Sequence, residues 1–236
     1  MHYQLVSIDS KMQKTDNKEF IFENDTMVIY YNFYGINCPV SIRVFNKLES
    51  PLYIDWSKSA AIFSDKTDGY YSENALISAT IDGVSYGNST SGNINGVIYK
   101  NERVSFIAPK SFINRNTTSL CCSFFKPVGN SSEISLQTNN GPFPANRYVY
   151  NDESSMFKFR SFLTFSTKED MSSPIYFERT FWASEIINTG NNPESLLYKP
   201  SNRFYMKKTT GFGKFMGCTI IAVTLIALAA LSPASK

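Results

Sequence analysis

Residues 156–166, MFKFRSFLTFS, decide the fold class. Phe157, Phe159, Leu163 and Phe165 fall on one side of an extended chain, with Ser161 between them, while Lys158, Arg160 and Thr164 fall on the other. Apolar residues recurring every second position predict a strand with one buried and one wet face. A helix would repeat its apolar residues every three or four positions, and no stretch between 20 and 200 sustains that over ten residues.

Working outward, the next segment, 174–187 (PIYFERTFWASEII), is long enough for two strands or one bent strand. Toward the N-terminus, 39–47 (PVSIRVFNK) alternates with Val40, Ile42 and Val44 inward and Ser41 and Arg43 outward. The runs 19–23 and 26–34 flank Asn24-Asp25, a turn dipeptide, and predict a hairpin. Extended stretches follow at 52–56 and 60–64, closed by the turn DKTDG at 65–69, and another at 75–81. The Gly, Asn and Ser of 87–96 (GNSTSGNING) predict an exposed loop. Residues 97–99 and 103–108 read as two arms of a hairpin turning near Asn101, and 120–125 as a further strand.

Many short strands with turn signals every ~8–12 residues predict a mainly β, antiparallel β-sandwich, immunoglobulin-like or related, with a barrel as the alternative. Long loops are expected at 83–96 and 126–147. The predicted organisation is an N-terminal lead-in over 1–18, the sandwich over 19–187, a polar linker over 188–211, a transmembrane helix over 212–232 and a short tail over 233–236.

Composition bounds the class. The chain has 236 residues, 42% hydrophobic and 18% charged, which excludes a disordered chain. Four cysteines in this length do not make a disulfide-dense scaffold. A net charge of +3 gives no reason to expect nucleic acid as a partner.

The C-terminal segment is of another kind. Residues 215–231, FMGCTIIAVTLIALAAL, carry no charge, and their apolar bulk comes from Phe215, Ile220, Ile221, Val223, Leu225, Ile226, Leu228 and Leu231. As a helix this run spans ~25 Å, close to a ~30 Å hydrocarbon core once it is extended to Phe212 and Lys214 snorkels. A buried helix of the globular body is the alternative. Lys207, Lys208 and Lys214, with Arg203, precede the span, and only Lys236 follows it, so the positive-inside rule places residues 1–210 in the cytoplasm. The first twenty residues contain no apolar export run, which agrees with a tail-anchored chain held in the lipid bilayer by its C-terminal helix. Gly213 and Gly217 read as a flexible junction before a helix-dimer motif.

Candidate chemistry is sparse. The single histidine is His2, in the expected lead-in, where it is poorly held for a triad or a Cys-His dyad. Cys38 is solitary, Cys121 and Cys122 would point to opposite strand faces, and Cys218 lies in the span; no metal set or cofactor is expected, and four unpaired thiols suit a reducing compartment. Asp65, Asp68 and Glu73, and separately Asp152 and Glu153, read as turns before a Ca²⁺ loop. Trp56 and Trp182 read as core residues before a binding surface, and Asp55 as exposed or paired with Lys58.

The runs FEND at 22–25, YYNFYG at 30–35 and FNKLESPLYIDWSKSAAI at 45–62 resemble an uncharacterised family of bacterial β-rich proteins with an Asn-Lys turn before an IYIDW-like strand. The resemblance covers about residues 3–71, with VSFIAPKS at 104–111 as a weaker echo. It implies a bacterial origin and carries no activity and no functional residue. Locally, Asn46-Lys47 ends one strand, 48–51 turns, and 52–56 is expected to pair back.

The expected function is a membrane-anchored, non-enzymatic interaction or scaffold module with an unidentified protein partner. The alternative is a carboxylate-based hydrolase or carbohydrate-active enzyme, which needs Asp55, Glu178 or Glu185 to face a second acid ~5–10 Å away in an aromatic cleft.

Overall fold

The computed structural model describes residues 2–72, 76–86, 89–99, 102–117, 119–121 and 123–208. Its strands in chain order are β1 His2–Asp9, β2 Gln13–Lys14, β3 Phe20–Glu23, β4 Met27–Asn32, β5 Gly35–Ile36 and β6 Ser41–Asn46. They continue with β7 Leu52–Asp55, β8 Ala60–Phe63, β9 Lys66–Gly69, β10 Leu76–Tyr86, β11 Ser89–Tyr99 and β12 Val104–Ile107. The last six are β13 Phe112–Asn116, β14 Ser132–Thr138, β15 Gly141–Val149, β16 Lys158–Ser166, β17 Pro174–Thr189 and β18 Arg203–Lys208. The protein is mainly β.

The larger sheet runs β12-β7-β16-β17-β1-β18-β5, with β15 joining β17 beyond the end of β16 and β8 joining β16 beside β7. The smaller runs β13-β6-β4-β3-β2. All described pairings are antiparallel except β18 with β5. Both sheets feed one core. Phe181 of β17 lies 5.3 Å from Phe20, 5.0 Å from Tyr31 and 5.1 Å from Phe33, ring centre to ring centre, so the two layers interlock through aromatic edges and faces. The alternation expected for 156–166 is borne out, with Phe159, Leu163 and Phe165 buried and Lys158 and Arg160 exposed. Thr164 departs from it: it is buried, and its hydroxyl donates to the Lys58 carbonyl at 2.7 Å. The Asn24-Asp25 hairpin is also present, with Glu23 opposite Val28 and the Asn24 Oδ1 accepting from the amides of Thr26 and Met27.

Several expectations are corrected. Residues 1–18 are no lead-in: β1 lies between β17 and β18, and Tyr3 to Ile8 are all buried. Val6 and Ile8 enter the main core, while Leu5 packs on the opposite face with Leu136, Ala145, Ile187 and Leu196. A strand covered on both faces loses the alternation by which a strand is read, and the charged residues from 9 to 19 hid this one further. Likewise 188–211 is not simply a linker, because β18 supplies Phe204 and Met206 to the core. The loops expected at 83–96 and 126–147 contain hairpins: β10 pairs with β11 over eleven positions, and β14 pairs with β15 over seven. A ladder is built from backbone groups, so segments rich in Ser, Thr and Asn can complete one although their composition reads as loop.

Residues 97–99 and 103–108 do not pair with each other; the former belong to β11 and the latter to β12 beside β7. Among the described residues of the run 120–125 none lies in a strand. Residues 52–56 do not pair back on 41–46, since β6 and β7 belong to different sheets. Asn46 makes that corner. Its buried amide donates to the carbonyls of Ser50 and Ile107 at 2.8 and 3.1 Å, and its Oδ1 accepts from the Leu48 amide at 2.9 Å.

Candidate functional site

On the outer face of the larger sheet, side chains from four strands meet at one carboxylate. Ser7 of β1 stands opposite Arg203 of β18 and opposite Glu185 of β17, and Arg147 reaches in from β15. A register shift between β1 and β17 makes this possible: Ser7 faces Glu185 but Ile8 faces Ala183, so Ser184 has no partner across the ladder. The extra residue resets the alternation, leaving Ala183 and Ile186 in the core and turning Glu185 outward.

Glu185 accepts from Arg147 Nε at 2.6 Å on one oxygen, and from Ser7 Oγ at 2.7 Å and Arg203 Nη2 at 2.9 Å on the other. Arg203 Nε also donates to Ser7 Oγ at 3.0 Å, closing a ring of polar contacts. The Glu185 side chain is 13% exposed and that of Arg203 19%, so this is a half-buried ionic cluster rather than a surface pair.

The cluster forms the floor of a groove of about 400 Å³. Lys14 and Lys18 line it along with the two arginines, against Asp9 and Glu185, which leaves two positive charges in excess. Lys14 is held to Asp9 at 2.6 Å. The Tyr150 hydroxyl on the wall donates to the Val128 carbonyl at 3.1 Å, and Tyr198 is half exposed. Arg147 uses Nε on Glu185, and among the described residues its two Nη groups make no hydrogen bond. Such a groove is suited to anionic groups carried by a binding partner.

Lys207 and Lys208 are exposed at the end of β18, opposite Tyr3 and His2. Lys214 and the whole run from Phe215 to Leu231 lie outside the described residues, and among the described residues no helix is long and apolar enough to cross a membrane. Asp55 is buried, so of the two expected alternatives the exposed one fails and the pairing with Lys58 is found. Its carboxylate accepts from the Ser57 amide at 3.0 Å, capping a short 3-10 turn, and sits 3.8 Å from Lys58. Glu178 pairs with Arg160 at 2.9 Å and Glu185 with two arginines, so Asp55, Glu178 and Glu185 each take a basic partner.

Trp56 is a core residue, its Nε1 donating to Ser105 Oγ at 3.0 Å. Trp182 is partly buried and lines a second cleft of about 480 Å³ with Lys11, Asp152, Lys158 and Glu178. Glu73 falls outside the described residues, among which no three His, Cys, Asp or Glu side chains gather as a metal set.

Ser7 and Arg147 escaped sequence reasoning, and Arg203 was read only as a charge flanking the C-terminal span. The chain from Ser7 to Arg203 spans almost the whole described body, and the register shift that aims Glu185 leaves no local mark in the residues around it. Comparison with family models, with curated proteins and with solved structures returned no match.

Proposed function

We propose that the chain is a membrane-held, non-enzymatic interaction module. In this reading an antiparallel β-sandwich of immunoglobulin-like type faces the cytoplasm on a C-terminal transmembrane helix over 212–232. It binds an acidic protein partner in the groove over Glu185. The observation that carries the reading is the position of β18. This strand sits next to β1 and ends at Lys208, with six residues between it and the uncharged run that begins at Phe215. Six intervening residues reach at most ~25 Å, so a membrane-inserted run would hold the sheet end close to the headgroups. Lys207, Lys208 and Lys214 would add attraction to anionic lipid of up to ~1 kcal/mol each. The two excess positive charges of the groove favour an acidic partner, and its ordered arginines favour carboxylates in particular.

The experiment compares the full chain with a chain stopped after Lys208. The full chain is expected in the membrane fraction and the shorter one in the soluble fraction; equal solubility without detergent refutes the anchor. Binding is tested by enrichment from membranes against a bare-anchor control. The double charge reversal Lys18→Glu/Arg147→Glu is expected to abolish whatever the native chain enriches. An unchanged set of captured proteins refutes the groove as the binding surface.

A further inference from the structure

Away from the residues of that groove, the fold joins two cysteines that sequence reading kept apart. Cys38 and Cys121 are both free thiols and both buried. Their backbones run side by side: the Leu120 amide donates to the Cys38 carbonyl at 3.0 Å, and the Cys121 amide to the Asn37 carbonyl at 3.0 Å. The Cys121 side chain is close enough to Cys38 to act, after burial, as a further cause that raises the Cys38 thiol pKa. The segment that presents Cys38 is stiff. Asn37 and Cys38 both hold left-handed backbone angles, φ 63 and 59, and Pro39 follows. Gly35 begins the turn with φ +146, where a Cβ would stand 2.7 Å from the Pro39 ring.

The two sulfurs differ in access. Cys38 is fully enclosed, whereas Cys121 lines a surface cleft of about 300 Å³ with Lys66, Asp68 and Phe157. Burial, with the neighbouring thiol as a further cause, holds the Cys38 thiol well above its ordinary pKa, so Cys38 is a poor nucleophile at neutral pH.

We propose that Cys38 and Cys121 are a disulfide-forming pair, oxidised by a hydroperoxide that enters the cleft beside Cys121. Cys121 gives its proton to solvent and the thiolate attacks the terminal hydroxyl oxygen of the peroxide; the S–O bond forms as the O–O bond breaks, and the other oxygen leaves as hydroxide or alkoxide, which takes a proton back from solvent to become water or an alcohol. The Cys38 sulfur then attacks the Cys121 sulfenic acid, forming the S–S bond, and the hydroxyl leaves with the Cys38 proton as water. Two electrons pass from the thiols to the peroxide. The bond would tie the turn after β5 to the segment after β13, closing the chain between residues 38 and 121, including the β10–β11 hairpin. Nothing in this step depends on the groove or on the membrane anchor.

The test uses the full chain, purified reduced in detergent and exposed to hydrogen peroxide. Peptide mapping without reductant is expected to show a link between the Cys38 and Cys121 peptides, with a loss of two hydrogens that dithiothreitol reverses. The link persists in Cys122→Ser and disappears in Cys38→Ser, where Cys121 is instead trapped as sulfenic or sulfinic acid. Oxidation also raises the melting temperature of the wild type and of Cys122→Ser. The proposal is overturned by a dominant link between Cys121 and Cys122, by a link from Cys38 to Cys122, or by peroxide treatment of the native chain that oxidises Cys121 without any cross-link. Mapping of the unsubstituted chain decides the matter even if a serine variant fails to fold.

Discussion

Tyr31 and Ser161 meet hydroxyl to hydroxyl at 2.8 Å inside the aromatic core, and Tyr70 donates to the same Ser161 oxygen at 2.9 Å. All three side chains are buried, so one small hydroxyl serves two phenols in surroundings that offer them no water. Ser161→Ala strands both, and the expected loss is about 2–4 kcal/mol by urea unfolding, more than a lone hydroxyl deletion costs. Adding Tyr31→Phe and Tyr70→Phe to Ser161→Ala removes the stranded groups and should recover part of that loss. A triple variant no more stable than Ser161→Ala refutes the shared-hydroxyl account.

Burial also pushes the Tyr31 and Tyr70 hydroxyls well above the ordinary tyrosine value of 10.0, and burial with the Glu194 carboxylate pushes Tyr205 up to about 12. The folded state therefore holds these protons more tightly than the unfolded chain does. Their contribution is fully present below pH 10, and it is lost as the pH rises through the folded values. Unfolding midpoints in urea should be flat in this respect up to pH 10 and fall between 10 and 12. Absorbance titration at alkaline pH should show a late group of tyrosines that ionises only as the fold is lost. A single early titration of all fourteen would contradict this.

Trp56 and Trp182 report on different places. Trp56 is enclosed, with the Arg115 guanidinium 4.9 Å from its ring centre, whereas Trp182 borders a cleft. Trp182→Phe should leave blue-shifted emission that acrylamide quenches poorly, and Trp56→Phe should leave the quenchable component. In stability, Trp56→Ala is expected to cost about 3–5 kcal/mol and Trp182→Ala about 1 kcal/mol or less. Equal quenching in the two Phe variants would show the assignment to be wrong.

Ion pairs in this molecule are unequal, and exposure decides which count. Glu178 and Arg160 are 41% and 45% exposed, so Glu178→Gln should cost about 0.5 kcal/mol or less. Glu185 holds two arginines and a serine at 13% exposure, and Glu185→Gln should cost about 1.5–3 kcal/mol because the half-buried Arg203 loses its counter-charge. Parallel urea unfolding of the two variants measures the difference, and similar losses would mean that the cluster is held no more tightly than a surface pair.

Strands were legible in the residues: β6 and β16 from their alternation, β3 and β4 from the apolar runs either side of Asn24-Asp25, and their predicted bounds differ from the observed ones by one or two residues at most ends. β1 was not legible, because Leu5 and Val6 are buried on opposite faces and leave no alternation to see. The hairpin β14–β15 escaped for the opposite reason: Pro142 and Pro144 and many polar residues suppress the strand signal, yet Leu136 and Ala145 suffice to pin it over Leu5. The groove was not legible at all. It is assembled from strands that meet only in three dimensions, and the residue that aims Glu185 is an unremarkable serine, Ser184.

The pairing of β1 with β18 has a kinetic consequence. His2 stands opposite Lys208, and Asn202 donates to the Ile8 carbonyl across 194 residues of chain, so the sheet cannot close until the two ends of the described body meet. Contacts of such separation slow folding, and until they form, the β17 edge stays open to other chains. The same adjacency suits circular permutation. A two-residue turn from Lys208 to His2, with new ends in the exposed 167–173 connection, would convert the most distant pairing into a local hairpin. Such a permutant should reach the same structure faster than the natural order, as stopped-flow refolding would show, and aggregate less on the way.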